Sequence, residues 1–192
     1  MKATFASHPK SKFWSLKNKG EPEDYALNSH KVCWFDCECG HQFKSSLLNI
    51  NKGNNWCGYC SNPPKLLCSN VCVPCENKSF ASHPKSVCWS DENEIEPRQV
   101  FKNADRKKYK FVCNVCFHKF EINLKCINMK NQFCPYCAHQ KLCENKDCNV
   151  CYNNSFASVE RSKFLNDKTI NPRTLFKSTN NKYKFNCELD SR

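Results

Sequence analysis

Tyr109-Lys110-Phe111-Val112-Cys113-Asn114-Val115-Cys116, followed by Cys134-Pro135-Tyr136-Cys137, sets two C-x-x-C hooks seventeen residues apart. Each hook offers two sulfurs, and a tetrahedral zinc ion takes four such ligands, so this is the spacing of a structural zinc site. The pattern occurs twice. Cys37, Cys39, Cys57 and Cys60 hold the matching places one module earlier, again with seventeen residues between Cys39 and Cys57. Cys37-Glu38-Cys39 is one residue shorter than Cys113–Cys116, so the loop of that first hook has to be tighter.

Composition agrees with a metal-stapled chain. Its 192 residues contain eighteen cysteines and only four glycines, and the mean hydropathy is −0.74. Modules of about 70 residues bury little apolar surface and commonly need metals or disulfides as staples. The opening Met1-Lys2-Ala3-Thr4-Phe5 lacks the apolar core of a secretion signal, and no segment approaches membrane-spanning length. Paired hooks without a secretion signal favour zinc over disulfides and an intracellular, reducing compartment. The formal charge of +12 suggests an anionic partner. Four-thiolate sites carry about −2 and three-thiolate sites about −1, so two of each would bring the loaded chain to about +6.

Self-comparison reveals three copies of one unit. Phe5-Ala6-Ser7-His8-Pro9-Lys10-Ser11 returns as Phe80-Ala81-Ser82-His83-Pro84-Lys85-Ser86 and again as Phe156-Ala157-Ser158-Val159-Glu160-Arg161-Ser162, at spacings of 75 and 76 residues. Each copy continues through Trp14, Trp89 or Phe164 and a Pro-containing segment. Copies two and three then reach a basic-aromatic run, Lys108–Cys113 and Lys182–Cys187. Alternation in these runs predicts a strand entering the first hook, with residues 117–133 as its hairpin partner. The Ser/Thr-Phe-Ala-Ser opening predicts a short helix leading to the tryptophan. Three modules follow: 1–62, 63–139 and an incomplete 140–192. Copy three has only Cys187 of a hook, as the end of a fragment or as a degenerate terminal cap, with the fragment preferred.

A second cysteine group recurs between modules. Cys68, Cys72 and Cys75, assigned to the start of the second module, correspond to Cys143, Cys148 and Cys151. Three thiols within nine residues make three-quarters of a zinc site. His83, eight residues past Cys75, is the candidate fourth ligand, and His139 is a substitute for the later cluster. Against His83 stand His8, which occupies the same motif with no cluster upstream, and Val159, which replaces it in copy three. Cys33, Cys88 and Cys126 align with non-ligands in other copies and read as packing residues.

Taken together, Phe80, His83, Pro84, Trp89, Pro97, Tyr109, Phe111, Cys113, Cys116, Cys134, Pro135, Tyr136 and Cys137 resemble a zinc-ribbon, treble-clef-like repeat domain common in large DNA viruses. The resemblance covers nearly the whole chain. It implies tandem small zinc-stabilised α+β modules, each a zinc-ribbon or treble-clef-like β-hairpin with short helices. It also implies residence in the cytoplasm or nucleus of an infected cell, or in the virion. Similar domains are joined to endonuclease-like domains, which points to DNA. In a treble clef the second hook opens a helix, and Pro63-Pro64 limit any such helix in the first module to about one turn.

An enzyme is not expected. Closed four-thiolate sites leave no position for a reacting water, and the six histidines are scattered. His41 and His118 both stand two residues past a hook, where an imidazole can donate to a thiolate or simply occupy the hairpin. Nucleic-acid binding is the leading expectation. Arg106, Lys107, Lys108 and Lys110 offer cations to phosphate and Tyr109 a ring to a base, while Lys182 and Lys184 repeat the arrangement. A zinc-stapled protein-interaction or virion-structural scaffold is the alternative.

Overall fold

The computed structural model describes residues 3–53, 55–69 and 72–186. They form two compact units, residues up to 82 together with 97–101, and residues 83–96 together with 102 onward. The first unit thus reaches past residue 62 and takes in Cys68, Cys72 and Cys75. Cys187, the lone hook cysteine of copy three, lies outside the described residues.

In the first unit, 3-10 turns at Phe5–Ser7 and Pro9–Phe13 lead to Trp14. His8 caps the second turn, its Nδ1 accepting from the Lys10 amide at 3.0 Å. Strands β1 (Val32–Asp36) and β2 (Gln42–Ser46) pair antiparallel with Phe35 opposite Phe43. Alternation puts Cys33 and Phe35 on the inner face and leaves Val32 in solvent. Phe5, Phe35 and Leu47 are fully buried, and Trp14 and Trp56 meet the Phe35 ring edge-on at 5.6 and 5.5 Å. A buried Phe is worth about 1.5–3 kcal/mol, so these few rings supply much of a small core. Ser46 caps α1 (Leu47–Asn51) by accepting from Asn49 N at 3.3 Å, which converts the strand directly into a helix. Helix α2 (Val73–Glu76) begins at Cys72 and buries Cys75.

The second unit repeats the plan. Strands β3 (Lys108–Val112) and β4 (Lys119–Asn123) pair with Phe111 opposite Phe120, and Asn123 caps α3 (Leu124–Lys130). The expected hairpin partner over 117–133 is therefore a five-residue strand followed by a helix, because Leu124 and Ile127 continue at helical rather than strand spacing. Helix α4 (Asn149–Asn154) starts at Cys148 and buries Cys151.

Copy three retains the short-turn framework. Phe156–Ser158, Glu160–Phe164 and Pro172–Thr174 are 3-10 turns, and bridges Ser155–Phe176 and Leu165–Phe185 match Thr4–Ala26 and Trp14–Phe35 of copy one. The run at 182–186 forms only the Phe185 bridge, not the expected strand. Phe185 is 46% exposed where Phe35 and Phe111 are 0%, since no second strand among the described residues covers it. Cys33 and Cys88 are buried and Cys126 half-buried, and none of the three belongs to the ligand groups described next.

Candidate metal centres

The described cysteines are all free thiols. Fourteen cysteines and two histidines converge into four groups of four, each with its ligand atoms within 4.8 Å of one another: Cys37, Cys39, Cys57, Cys60; His41, Cys68, Cys72, Cys75; Cys113, Cys116, Cys134, Cys137; and His118, Cys143, Cys148, Cys151.

The first hook of each four-cysteine group sits at a tight turn. Cys37 N donates to His41 O at 2.9 Å and Gly40 N to Cys37 O at 2.8 Å, with Gly40 at φ +79°. Its counterpart Phe117 takes φ +59° despite its side chain, and Cys113 N donates to His118 O at 3.0 Å. The second hooks, Cys57–Cys60 and Cys134–Cys137, run into turns, with no helix opening from either among the described residues. Helices α1 and α3 instead lie between hairpin and second hook.

Distances fit zinc. Tetrahedral zinc with Zn–S near 2.3 Å holds its sulfurs about 3.8 Å apart, and Zn–N near 2.0–2.1 Å sets nitrogen and sulfur about 3.6 Å apart. Sulfur pairs Cys37–Cys60, Cys39–Cys57, Cys113–Cys137 and Cys116–Cys134 stand at 3.6, 3.6, 3.7 and 3.4 Å. His41 Nε2 is 3.3 Å from both Cys72 and Cys75 Sγ, and His118 Nε2 is 3.4 Å from Cys148 and Cys151 Sγ. The chain therefore carries two four-cysteine and two three-cysteine, one-histidine sets suited to zinc.

Thiol ionisation tells the same story. Burial pushes Cys134 up to about 11 and Cys151 up to about 12. Within the same groups burial also opposes ionisation of Cys113, but hydrogen bonds from the Cys116 and Val115 backbone outweigh it and bring Cys113 down to about 7. Cys68 comes down to about 6, where hydrogen bonds from His41, Cys75 and Arg98 overcome burial. Thiols packed this closely cannot all ionise unaided, and a cation at the centre resolves the conflict.

His41 and His118, not His83 and His139, complete the three-cysteine groups. His83 caps Pro84–Cys88, its Nδ1 accepting from Lys85 N at 3.0 Å. Burial, with Lys102 and Lys85 nearby, lowers its pKa and keeps it the neutral acceptor this cap requires. His139 is exposed, at φ +53°. Each ligand histidine is instead clamped by the tyrosine of a second hook, His41 stacking on Tyr59 at 4.3 Å and His118 on Tyr136 at 4.0 Å. Burial lowers the His118 pKa, partly offset by the Cys116 backbone, and so favours the neutral ligand form. The Cys68–Cys75 cluster consequently closes onto the hairpin that precedes it in the chain.

Two arginines brace these groups. Arg98 pairs with Glu76 at 2.9 Å and donates to Cys68 Sγ at 3.6 Å. Arg173 donates to the carbonyls of Asn145 and Cys148 at 2.7 and 2.9 Å. A signal for both pairs exists in the sequence. Pro97-Arg98 and Pro172-Arg173 each follow a three-cysteine cluster, and copy one has Pro22-Glu23 at the matching place. Likewise His41 and His118 recur at one position in both hooks that precede a cluster, while the His8/His83 position does not follow the clusters.

The expected nucleic-acid strand fares differently. Tyr109 is 6% exposed and packs on Trp89 at 5.0 Å, so it faces the core and not a base. Arg106, Lys107, Lys108 and Lys110 are exposed, but Lys107 pairs with Glu94 at 3.8 Å and Lys110 with Glu92 at 3.3 Å. Lys182 and Lys184 are exposed. In the first unit, by contrast, Trp34 on β1 is half-buried, and Lys17 and Lys44 place their ammonium groups 5.0 and 4.6 Å from its ring centre. Lys10 approaches the Trp56 ring at 4.7 Å, as Lys85 does Phe133 in the second unit.

No helix among the described residues is long and apolar enough to cross a membrane. No family model matches the chain. Over 190 residues it is 37% identical to an uncharacterized protein of Acanthamoeba polyphaga mimivirus, a large DNA virus, with 96% of this chain and 46% of that protein aligned. The chain thus spans about half the length of the curated relative it matches, and its nearly full-length similarity is to a viral protein.

Proposed function

We propose that this chain is a tandem array of zinc-ribbon-type modules that binds single-stranded nucleic acid, with no catalytic role of its own. The ribbon reading is supported by a hairpin that carries the first hook and by second hooks that end in turns rather than treble-clef helices. Closed sets of four protein ligands support a structural role for the metal.

The observation that carries the binding reading is Trp34, flanked by Lys17 and Lys44 on the outer face of the first hairpin. A partly exposed indole stacks on a base of any sequence, and the two ammonium groups, which form no ion pair among the described residues, can take phosphates. In the second module Glu92 and Lys110 stand in the places of Lys17 and Trp34, and Glu92 pairs with Lys110 and Lys119. That surface, together with the exposed Val115 and Phe117 of the adjacent hook, favours a protein partner for the second module, as in the scaffold reading.

The test is fluorescence anisotropy with labelled single-stranded DNA and RNA across a salt series. Trp34→Ala should weaken binding by about 1–3 kcal/mol. Lys17→Ala with Lys44→Ala should flatten the log–log salt slope by about 1.4, at about 0.7 per phosphate contact. Absence of binding by the zinc-loaded chain at about 50 mM salt would leave the scaffold reading in its place.

A further inference from the structure

The His41 imidazole touches both metal groups of its unit. Its Nε2 faces the Cys72 and Cys75 sulfurs at 3.3 Å, and its Nδ1 stands 3.2 Å from Cys39 Sγ, a member of the four-cysteine group. A neutral imidazole has one N–H. When the Nε2 lone pair goes to a metal, the proton must reside on Nδ1, where it points at Cys39. Donation to that thiolate offsets part of its charge and fixes its orientation, and partners of this kind outside the ligand shell commonly change metal affinity about 10–100-fold. With the Nε2 position empty, the proton is free to move to Nε2 and the Cys39 sulfur loses its donor. Stacking on Tyr59, nearly coplanar at 12°, keeps both nitrogens aimed.

We infer that His41 couples metal binding at the Cys37/Cys39/Cys57/Cys60 group to metal binding at the Cys68/Cys72/Cys75 group, so that each site tightens the other. This rests on the reading of both groups as metal sites. The coupling is thermodynamic and therefore reciprocal. A built-in comparison exists in the second unit. His118 has the same tyrosine stack and the same Nε2 contacts, but its Nδ1 is buried and has no hydrogen-bonding sulfur. The hook Cys113–Cys116 is one residue longer than Cys37–Cys39, and among the described residues no sulfur hydrogen-bonds to the His118 Nδ1. That pair should titrate as two nearly independent sites.

The experiment counts metal in the full chain and then follows each site by cadmium-113 NMR, which separates four-sulfur from three-sulfur, one-nitrogen environments, under chelator competition. In the Cys72→Ser/Cys75→Ser variant the Cys37 group should lose affinity about 10-fold, while Cys148→Ser/Cys151→Ser should change the Cys113 group by less than about 3-fold. If the double variant does not fold, Arg98→Met serves instead. It removes the donor to Cys68 without removing a ligand, and should shift the Cys37 group in the same direction. An unchanged Cys37-group affinity in a folded variant, or equal losses in both units, overturns the coupling and leaves four metal sites standing. Two metals per chain instead of four would overturn the coupling and the four-site reading together.

Discussion

His41 and His83 show how differently the same side chain is used at residue scale. His83 holds a backbone turn through one accepted hydrogen bond, while His41 sits 9% exposed among sulfurs of two groups. Their substitutions should separate cleanly. His83→Ala should keep four zinc ions per chain and lose about 0.5–2 kcal/mol, the range of a lost N-cap. His41→Ala should drop the count to three, read by elemental analysis of the purified chain. Retention of four by His41→Ala would return the fourth-ligand role to another residue.

At the scale of elements, hooks and hairpins are built together. Cys37 and Cys113 follow directly from β1 and β3, and the residue after each hook, Gly40 or Phe117, is left-handed. Gly40 takes that conformation without strain, with open space around its missing Cβ. Phe117 does so at a cost of about 1–2 kcal/mol for an L-residue, and its side chain is 77% exposed, so packing returns little. Phe117→Gly should therefore leave zinc content unchanged and raise thermal stability by up to about 1 kcal/mol, after the entropic cost of glycine. A destabilised Phe117→Gly would mean that this ring has a contact worth more than its strain.

For the whole molecule, zinc and fold should be inseparable. Each unit has only a few fully buried rings, and structural zinc in small peptides contributes about 10–16 kcal/mol per site at neutral pH. Chelation should abolish the near-ultraviolet circular dichroism of the tryptophans and restore it on adding zinc. Acid should act in the same direction. Zinc holds the pKa values of its thiolate ligands below their unfolded value of about 8.5, so the stability they contribute is fully present above that pH and is lost as pH falls toward the metal-bound values. A chelated chain that kept its tertiary spectrum would show that the hydrophobic clusters suffice.

What could be read directly was local. The hooks, the repeat and the strands at 108–112 depend on residues a few positions apart, so cysteine spacing and alternation record them. The inward face of Tyr109 was also written in that alternation, since Phe111, two residues on, shares its side of β3, yet the surrounding lysines made it look like a binding ring. The fourth ligands were different. His41 lies 27 residues before Cys68, and only folding the β1–β2 turn against Tyr59 brings its imidazole to that cluster. Sequence by itself determined how many sulfurs were available and in what groups. Tertiary structure decided which histidine joined them, because a ligand set is completed by distance in space, and a hairpin turn contributes to whichever cluster packs upon it.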